Sequence, residues 1–90
     1  MPHYYLNLCS GAEFVEDEEG VELGDYAAAR AKAVESLRAC MASDLLNGHV
    51  NTATFVEIEN ERHEIIETVF FEDVIRLRNE PGSRPPANER

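Results

Sequence analysis

The side chains of this 90-residue chain that could do chemistry are mainly carboxylates, and five of them are clustered in the sequence. Carboxylates at such density can bind a divalent cation or serve as a general base. Their spacing does not match the calcium loop of an EF-hand, where ligands alternate around a central glycine. We therefore interpret segment 16–22 as an exposed acidic loop, without a predicted metal site. The five acidic residues are Glu16, Asp17, Glu18, Glu19 and Glu22.

Histidines and cysteines offer no recognisable catalytic or metal-binding pattern. His3, His49 and His63 are far apart in the sequence, and Cys9 and Cys40 do not form a CxxC motif. A zinc site requires closely spaced ligand pairs, and a cysteine nucleophile requires a base brought next to it by the fold. The glycines are isolated, so no phosphate-binding loop is present. We predict no catalytic, cofactor-binding or metal-binding residue, and the chain is not predicted to be an enzyme.

The charge balance favours one class of partner over another. Acidic residues outnumber Lys and Arg by 18 to 8, which gives a formal net charge of −10. Binding to nucleic acid depends on clustered Lys and Arg that neutralise phosphates, so this composition argues against direct DNA or RNA binding. Charge complementarity favours a basic protein partner, and self-association is the other expectation because a chain this short builds only a small core.

The sequence also predicts a cytoplasmic location. The segment after Met1 lacks the basic head and apolar run of a secretory signal, and no stretch approaches the roughly 20 apolar residues of a membrane span. We therefore expect no membrane association. Two cysteines in a cytoplasmic chain are expected to stay reduced.

One long helix is the clearest element in the sequence. Asp25 is a preferred N-cap, and the following stretch from Tyr26 to Leu46 is rich in Ala and Leu and ends at Asn47-Gly48. At 100° per residue, one side of this helix is apolar and is predicted to face the core. That side contains Tyr26, Ala29, Ala33, Leu37, Cys40 and Met41.

Alternating apolar and polar residues predict strands on both sides of the helix. Residues 4–9 and 14–15 precede it, and residues 53–70 follow it as a hairpin. The expected fold class is α+β, with order β-β-α-β-β: an antiparallel sheet of three to four strands with one long helix packed on one face. Residues 71–77 fit either a helical turn or a strand. The sequence predicts a single domain over residues 1–78 and a disordered tail over 79–90.

Part of the sequence resembles a known family. The opening Met1-Pro2-His3-Tyr4, the segment 17–23 (DEEGVEL), and Asp25 leading into Ala29 and Ala33 are similar to a family of short uncharacterised proteins common in alphaproteobacteria, classed as a domain of unknown function. The resemblance covers residues 2–77. It implies no catalytic residue. The chain departs from the family pattern at residues 10–12, where relatives usually have a more acidic turn.

The layout is also similar to that of HicB antitoxins, which are acidic partners of small basic RNA-cleaving toxins. In both, two strands precede a capped, Ala-rich helix. This chain lacks the Gly- and Pro-rich stretch that those antitoxins place before the helix, and it lacks their C-terminal DNA-binding segment. The likeness implies a basic protein as partner.

Two hypotheses about function follow. In the first, the chain is a small acidic protein-interaction module, dimeric or monomeric, that binds a basic partner in an antitoxin-like or regulatory role. In the second, it is a small ligand- or metal-binding or hydrolytic domain that uses carboxylates of the 16–22 loop. For the first, the predicted partner-binding residues combine the acidic loop with exposed residues of the hairpin and the segment after it: Glu16, Asp17, Glu18, Glu19, Glu22, Phe55, Glu57, Ile65, Glu67 and Phe71.

Overall fold

The computed structural model describes residues 1–78, which form an α+β fold of five strands and two helices. The antiparallel sheet and the long helix packed on it confirm the predicted fold class. The elements in chain order are β1 (His3–Ser10), β2 (Glu13–Val15), β3 (Val21–Glu22), α1 (Tyr26–Leu46), β4 (Phe55–Glu59), β5 (Ile65–Phe70) and α2 (Phe71–Val74).

The sheet is antiparallel and has the order β2-β1-β4-β5, with β3 also paired to β1. β2 pairs with the C-terminal half of β1, and β3 pairs with its first two residues, so both lie on the same side of β1. The strands from the two ends of the sequence meet where β1 pairs with β4. β4 and β5 form the predicted hairpin, with a register shift near Ile58 and Glu59.

Helix α1 begins and ends as its sequence predicts. Asp25 is the N-cap, and its Oδ1 accepts a hydrogen bond of 2.9 Å from the Ala28 N–H. This bond satisfies one of the amide donors that a helix leaves unpaired in its first turn. At the other end, Gly48 has φ +87° and donates its N–H to the Leu45 carbonyl. That left-handed conformation favours glycine and ends the helix.

The core lies between α1 and one face of the sheet. The helix buries its small residues there, with Ala29, Ala33 and Leu37 fully inaccessible. Because alanine has only a methyl group, the helix axis can approach the strands closely. The buried apolar set is Tyr4, Ala29, Ala33, Leu37, Met41, Val56, Ile58, Val69 and Val74.

Several predicted placements differ in the structure. Tyr26 was expected on the buried face of α1 but is 40% exposed. Cys40 is only half buried. The ambiguous segment 71–77 begins with the short helix α2, which Arg38 holds to α1 through a 2.8 Å hydrogen bond from its Nε to the Val74 carbonyl. The predicted tail, residues 79–90, lies outside the described residues.

Candidate functional site

The face of the sheet opposite α1 is the candidate site. We call it the open face, because the elements of the described chain pack on the other side of the sheet. Strand alternation places every second residue of each strand on this face. Its residues, assigned from the strand register, are His3, Tyr5, Asn7, Cys9, Phe14, Glu22, Phe55, Glu57, Glu59, Ile65, Thr68 and Phe70.

An apolar row crosses the open face from one edge to the other. Cys9 is in register with Phe14 on β2 and with Phe55 on β4, and Phe55 is in register with Phe70 on β5. The rings of Phe55 and Phe70 have centroids 5.8 Å apart. Phe14 is 56% exposed and Phe70 is 46% exposed. Four neighbouring strands therefore present a continuous apolar strip to solvent.

Carboxylates form the next two rows of the open face. Glu57 lies between Asn7 and Thr68 in the register, and Glu59 lies beside Tyr5. In the described chain, strands β1, β2, β4 and β5 contain no Lys or Arg. The strand positions beside the apolar row therefore have a negative charge that no Lys or Arg on the same strands offsets.

Glu59 is held in place by a chain of hydrogen bonds. Asn7 Nδ2 donates to Glu59 Oε2 at 2.8 Å, and the Nδ1 of His63 lies 3.0 Å from Glu59 Oε1. Asn7 is only 1% exposed, and its Oδ1 accepts the Asp17 N–H at 2.9 Å. A fixed carboxylate loses less conformational entropy when it pairs with a cation than a mobile one does.

Tyr5 lies between two histidines at the end of the open face. Its ring is stacked on that of His63 at 4.3 Å and meets the edge of His3 at 5.1 Å. His63 has a positive φ of 62°, which a non-glycine residue rarely adopts, and it follows a turn whose amides are capped by the Asn60 side chain. The hairpin turn therefore places the imidazole over the sheet.

The acidic loop has a structural role at the edge of the sheet. β2 and β3 leave a gap on one side of β1, and the Asp17 carboxylate fills it by accepting the Leu6 N–H at 3.1 Å and the Gly20 N–H at 3.0 Å. His3 Nε2 lies 2.7 Å from the Glu19 carbonyl. The Asp17 carboxylate is thereby committed to backbone amides, whereas the side chains of Glu16 and Glu18 are exposed.

Of the predicted partner-binding residues in the hairpin and the segment after it, two are not on the open face. Glu67 points to the helix side, where its Oε2 lies 2.9 Å from Arg30 Nε. Phe71 is half buried against the core as part of α2, so the exposed aromatic position beside Phe55 belongs to Phe70. Ile65 is 55% exposed on β5. Phe55 and Glu57 lie on the open face as predicted.

Sequence reasoning missed Phe14, Phe70, Cys9 and Glu59 as members of one surface. Each lies in a segment that was predicted to be a strand, so the alternation of side chains between the two faces of that strand could be read from the sequence. What the sequence lacks is the register between strands, since a shift by one residue moves every side chain to the other face. The bulge in the hairpin, near Glu59, adds a further offset that no turn residue signals.

The open face contains one thiol, that of Cys9. Burial, with a smaller effect from the nearby Glu57 carboxylate, raises the pKa of the Cys9 thiol, which disfavours the nucleophilic thiolate. Within residues 1–78, no three His, Cys, Asp or Glu side chains are grouped so as to hold a metal ion. None of the helices in that same range is long and apolar enough to cross a membrane.

The chain matches the model of a known family. The model of a domain of unknown function (DUF6894) matches residues 3–72, which is most of the chain and includes every residue of the open face. The chain belongs to this family. The predicted membership in an uncharacterised family is thereby confirmed. No curated protein and no solved structure matches the chain.

Proposed function

We propose that this DUF6894 protein is a small protein-interaction module whose open face binds a basic protein partner. The observation that carries the proposal is the in-register apolar row with carboxylates beside it. Apolar patches that a small protein leaves exposed commonly mark interaction sites. A partner that presents apolar side chains flanked by Lys or Arg would match this surface in both respects.

The two parts of the surface have different roles in the proposed complex. Phe14, Phe55 and Phe70 would supply the apolar area that is removed from water, about 25 cal/mol for each Å² buried. Glu57 and Glu59 would raise the association rate and select for a cationic partner, more than they would add affinity. The exposed side chains of Glu16 and Glu18, on the edge beside β1, extend the same negative field.

The proposal includes a cytoplasmic location. Both cysteines are free thiols in the structure, and Cys9 lies within the proposed binding surface. In a reducing compartment these thiols stay unmodified. A basic partner in the same compartment is consistent with the regulatory role that the sequence suggested.

Affinity capture with matched variants tests the proposal. The tagged protein, E57Q/E59Q and F70S would each be exposed to an extract of the source organism, and bound proteins would be quantified at low and high salt. E35Q on the exposed side of α1 is the control, since Glu35 is a surface carboxylate far from the open face in the fold.

The expected result is a basic protein captured by the wild type and by E35Q, reduced at least about tenfold with E57Q/E59Q or F70S, and released by salt that screens surface charge. The proposal is overturned if the captured proteins are the same for the wild type and both open-face variants.

A further inference from the structure

Within residues 1–78, strand β5 has a neighbouring strand on one side only, and part of its backbone points to the outer edge. The described sheet path ends at β5, which has β4 on one side. The Phe70 N–H donates to Asp73 Oδ2 at 2.9 Å, so this amide points away from β4. Hydrogen-bonding directions alternate along an antiparallel strand, and the N–H and C=O of Thr68 therefore also point to the outer edge.

Strand β5 contains no lysine or proline, two residues that natural edge strands commonly use to prevent pairing with another chain. β5 has the sequence IIETVF, in which Ile66 is 42% exposed and Phe70 is 46% exposed. Its one charged residue, Glu67, is already paired with Arg30 on the helix side. Within β5 itself, no charged side chain is left unpaired.

The sequence of β5 is complementary to itself in one antiparallel register. If a two-fold axis passes through Thr68, the two Thr68 residues pair and exchange two backbone hydrogen bonds. Ile66 of each copy then lies opposite Phe70 of the other. Threonine pairs and aliphatic–aromatic pairs across strands each stabilise a sheet. In this register the apolar row of each copy ends against the exposed Ile66 of the other copy.

We propose that the protein forms a homodimer in which β5 pairs antiparallel with β5 of a second copy, with Thr68 on the two-fold axis. The dimer joins two sheets into one and doubles the open face. Because Asp73 caps the Phe70 amide, the pairing ends there and the interface is short. Short interfaces are at the weak end of specific association, so the dimer forms in a concentration-dependent manner.

Salt distinguishes this association from binding of a basic partner. Each copy has a formal net charge of −10, so the two copies repel one another at long range. Screening that repulsion strengthens the dimer, whereas the same screening weakens binding between opposite charges. The homodimer does not rest on the proposed function, and either can fail without the other.

Sedimentation equilibrium of the full chain tests the proposal. Wild type and T68V are expected to approach twice the chain mass as concentration rises, and to do so at lower concentration when salt is added. T68K is expected to remain monomeric because two lysines would meet on the axis. Its fold should persist, since Thr68 is in register with Glu57 within the same chain. Circular dichroism checks that point.

A cysteine cross-link tests the register in the same experiment. In a C9S/C40S background, T68C is expected to form a disulfide-linked dimer under mild oxidation, because paired residues on the axis lie within disulfide range. T52C, on an exposed loop position, is the control and should not. The proposal is overturned if the wild type stays monomeric across the concentration series, if folded T68K still dimerises, or if T68C and T52C cross-link equally.

Discussion

Phe55 and Phe70 lie in register on neighbouring strands, with ring centroids 5.8 Å apart, on the side of the sheet that α1 does not cover. Two aromatic side chains so placed usually belong to a core. Here they continue a row that reaches Phe14 at the other edge. The sheet thus has two apolar surfaces, and the described chain provides a helix for only one of them.

Substitution of Asp17 tests the structural role of the acidic loop. Its carboxylate accepts two backbone N–H groups, and removing it leaves the edge amide of Leu6 without its partner. We expect D17A to lower the free energy of unfolding by about 2 kcal/mol. E18A, which removes an exposed carboxylate from the same loop, should change it by less than about 0.5 kcal/mol. Urea denaturation measures both, and equal effects would contradict the assignment.

Two glycines on either side of β3 are expected to respond differently to alanine. Gly20 has φ +69°, and an added Cβ would lie 2.5 Å from His3 Nε2 and 2.7 Å from the Tyr4 carbonyl oxygen. G20A should therefore destabilise the protein by at least about 2 kcal/mol. Gly24 has open space around the same position, and G24A should be neutral or stabilise by up to about 1 kcal/mol. Thermal denaturation measures the stability of both variants. A G24A protein less stable than G20A would refute the loop geometry.

The close approach of α1 to the sheet predicts that its buried alanines tolerate no larger side chain. Ala33 is fully buried against the strands, whereas Ala31 is exposed on the other side of the helix. A33L should cost about 1–3 kcal/mol because the core has to shift to admit three more carbons. A31L adds the same volume to a solvent-facing position and should have little effect. Similar costs for both variants would mean that the alanine side of α1 does not face the sheet.

The thiol of Cys9 reports on the charge of the open face. Burial and the Glu57 carboxylate raise its pKa, so its alkylation should require a higher pH than that of an ordinary cysteine. E57Q removes the charge but not the burial, and should lower the pKa and speed alkylation at pH 8 by about two- to threefold.

Cys40 is the internal control for that experiment. Burial and Asp44 raise its pKa, so E57Q should leave its alkylation unchanged. Peptide mapping after timed exposure to iodoacetamide separates the two thiols. An unchanged rate at Cys9 would show that Glu57 does not act on this surface.

The helix and the strands were predictable from local sequence, whereas the site was not. Asp25 as N-cap, the alanine-rich face and Gly48 at the end mark α1 without reference to the rest of the chain. The alternating residues of β1, β4 and β5 mark the strands equally well. These features follow from interactions between residues close in sequence, which is why they can be inferred from sequence alone.

Membership in the open face depends on pairing between distant segments. Cys9 lies beside Phe14 and Phe55 because β1 is between β2 and β4 in the sheet. This strand order could not be predicted from the sequence. Phe70 and Phe71 show most clearly why the face on which a residue lies could not be predicted from the sequence. The two are adjacent aromatics, and only the register and the turn into α2 decide that Phe70 faces solvent and Phe71 the core.

Binding of a basic partner to the open face can be measured by amide chemical-shift mapping of the isotopically labelled protein titrated with a basic amphipathic peptide of alternating Lys and Leu. A peptide with Glu in place of Lys is the control. We expect salt-sensitive shifts concentrated at Cys9, Phe55, Glu57 and Phe70, with none for the acidic peptide. Shifts centred on the exposed side of α1, or the same shifts with both peptides, would contradict this expectation.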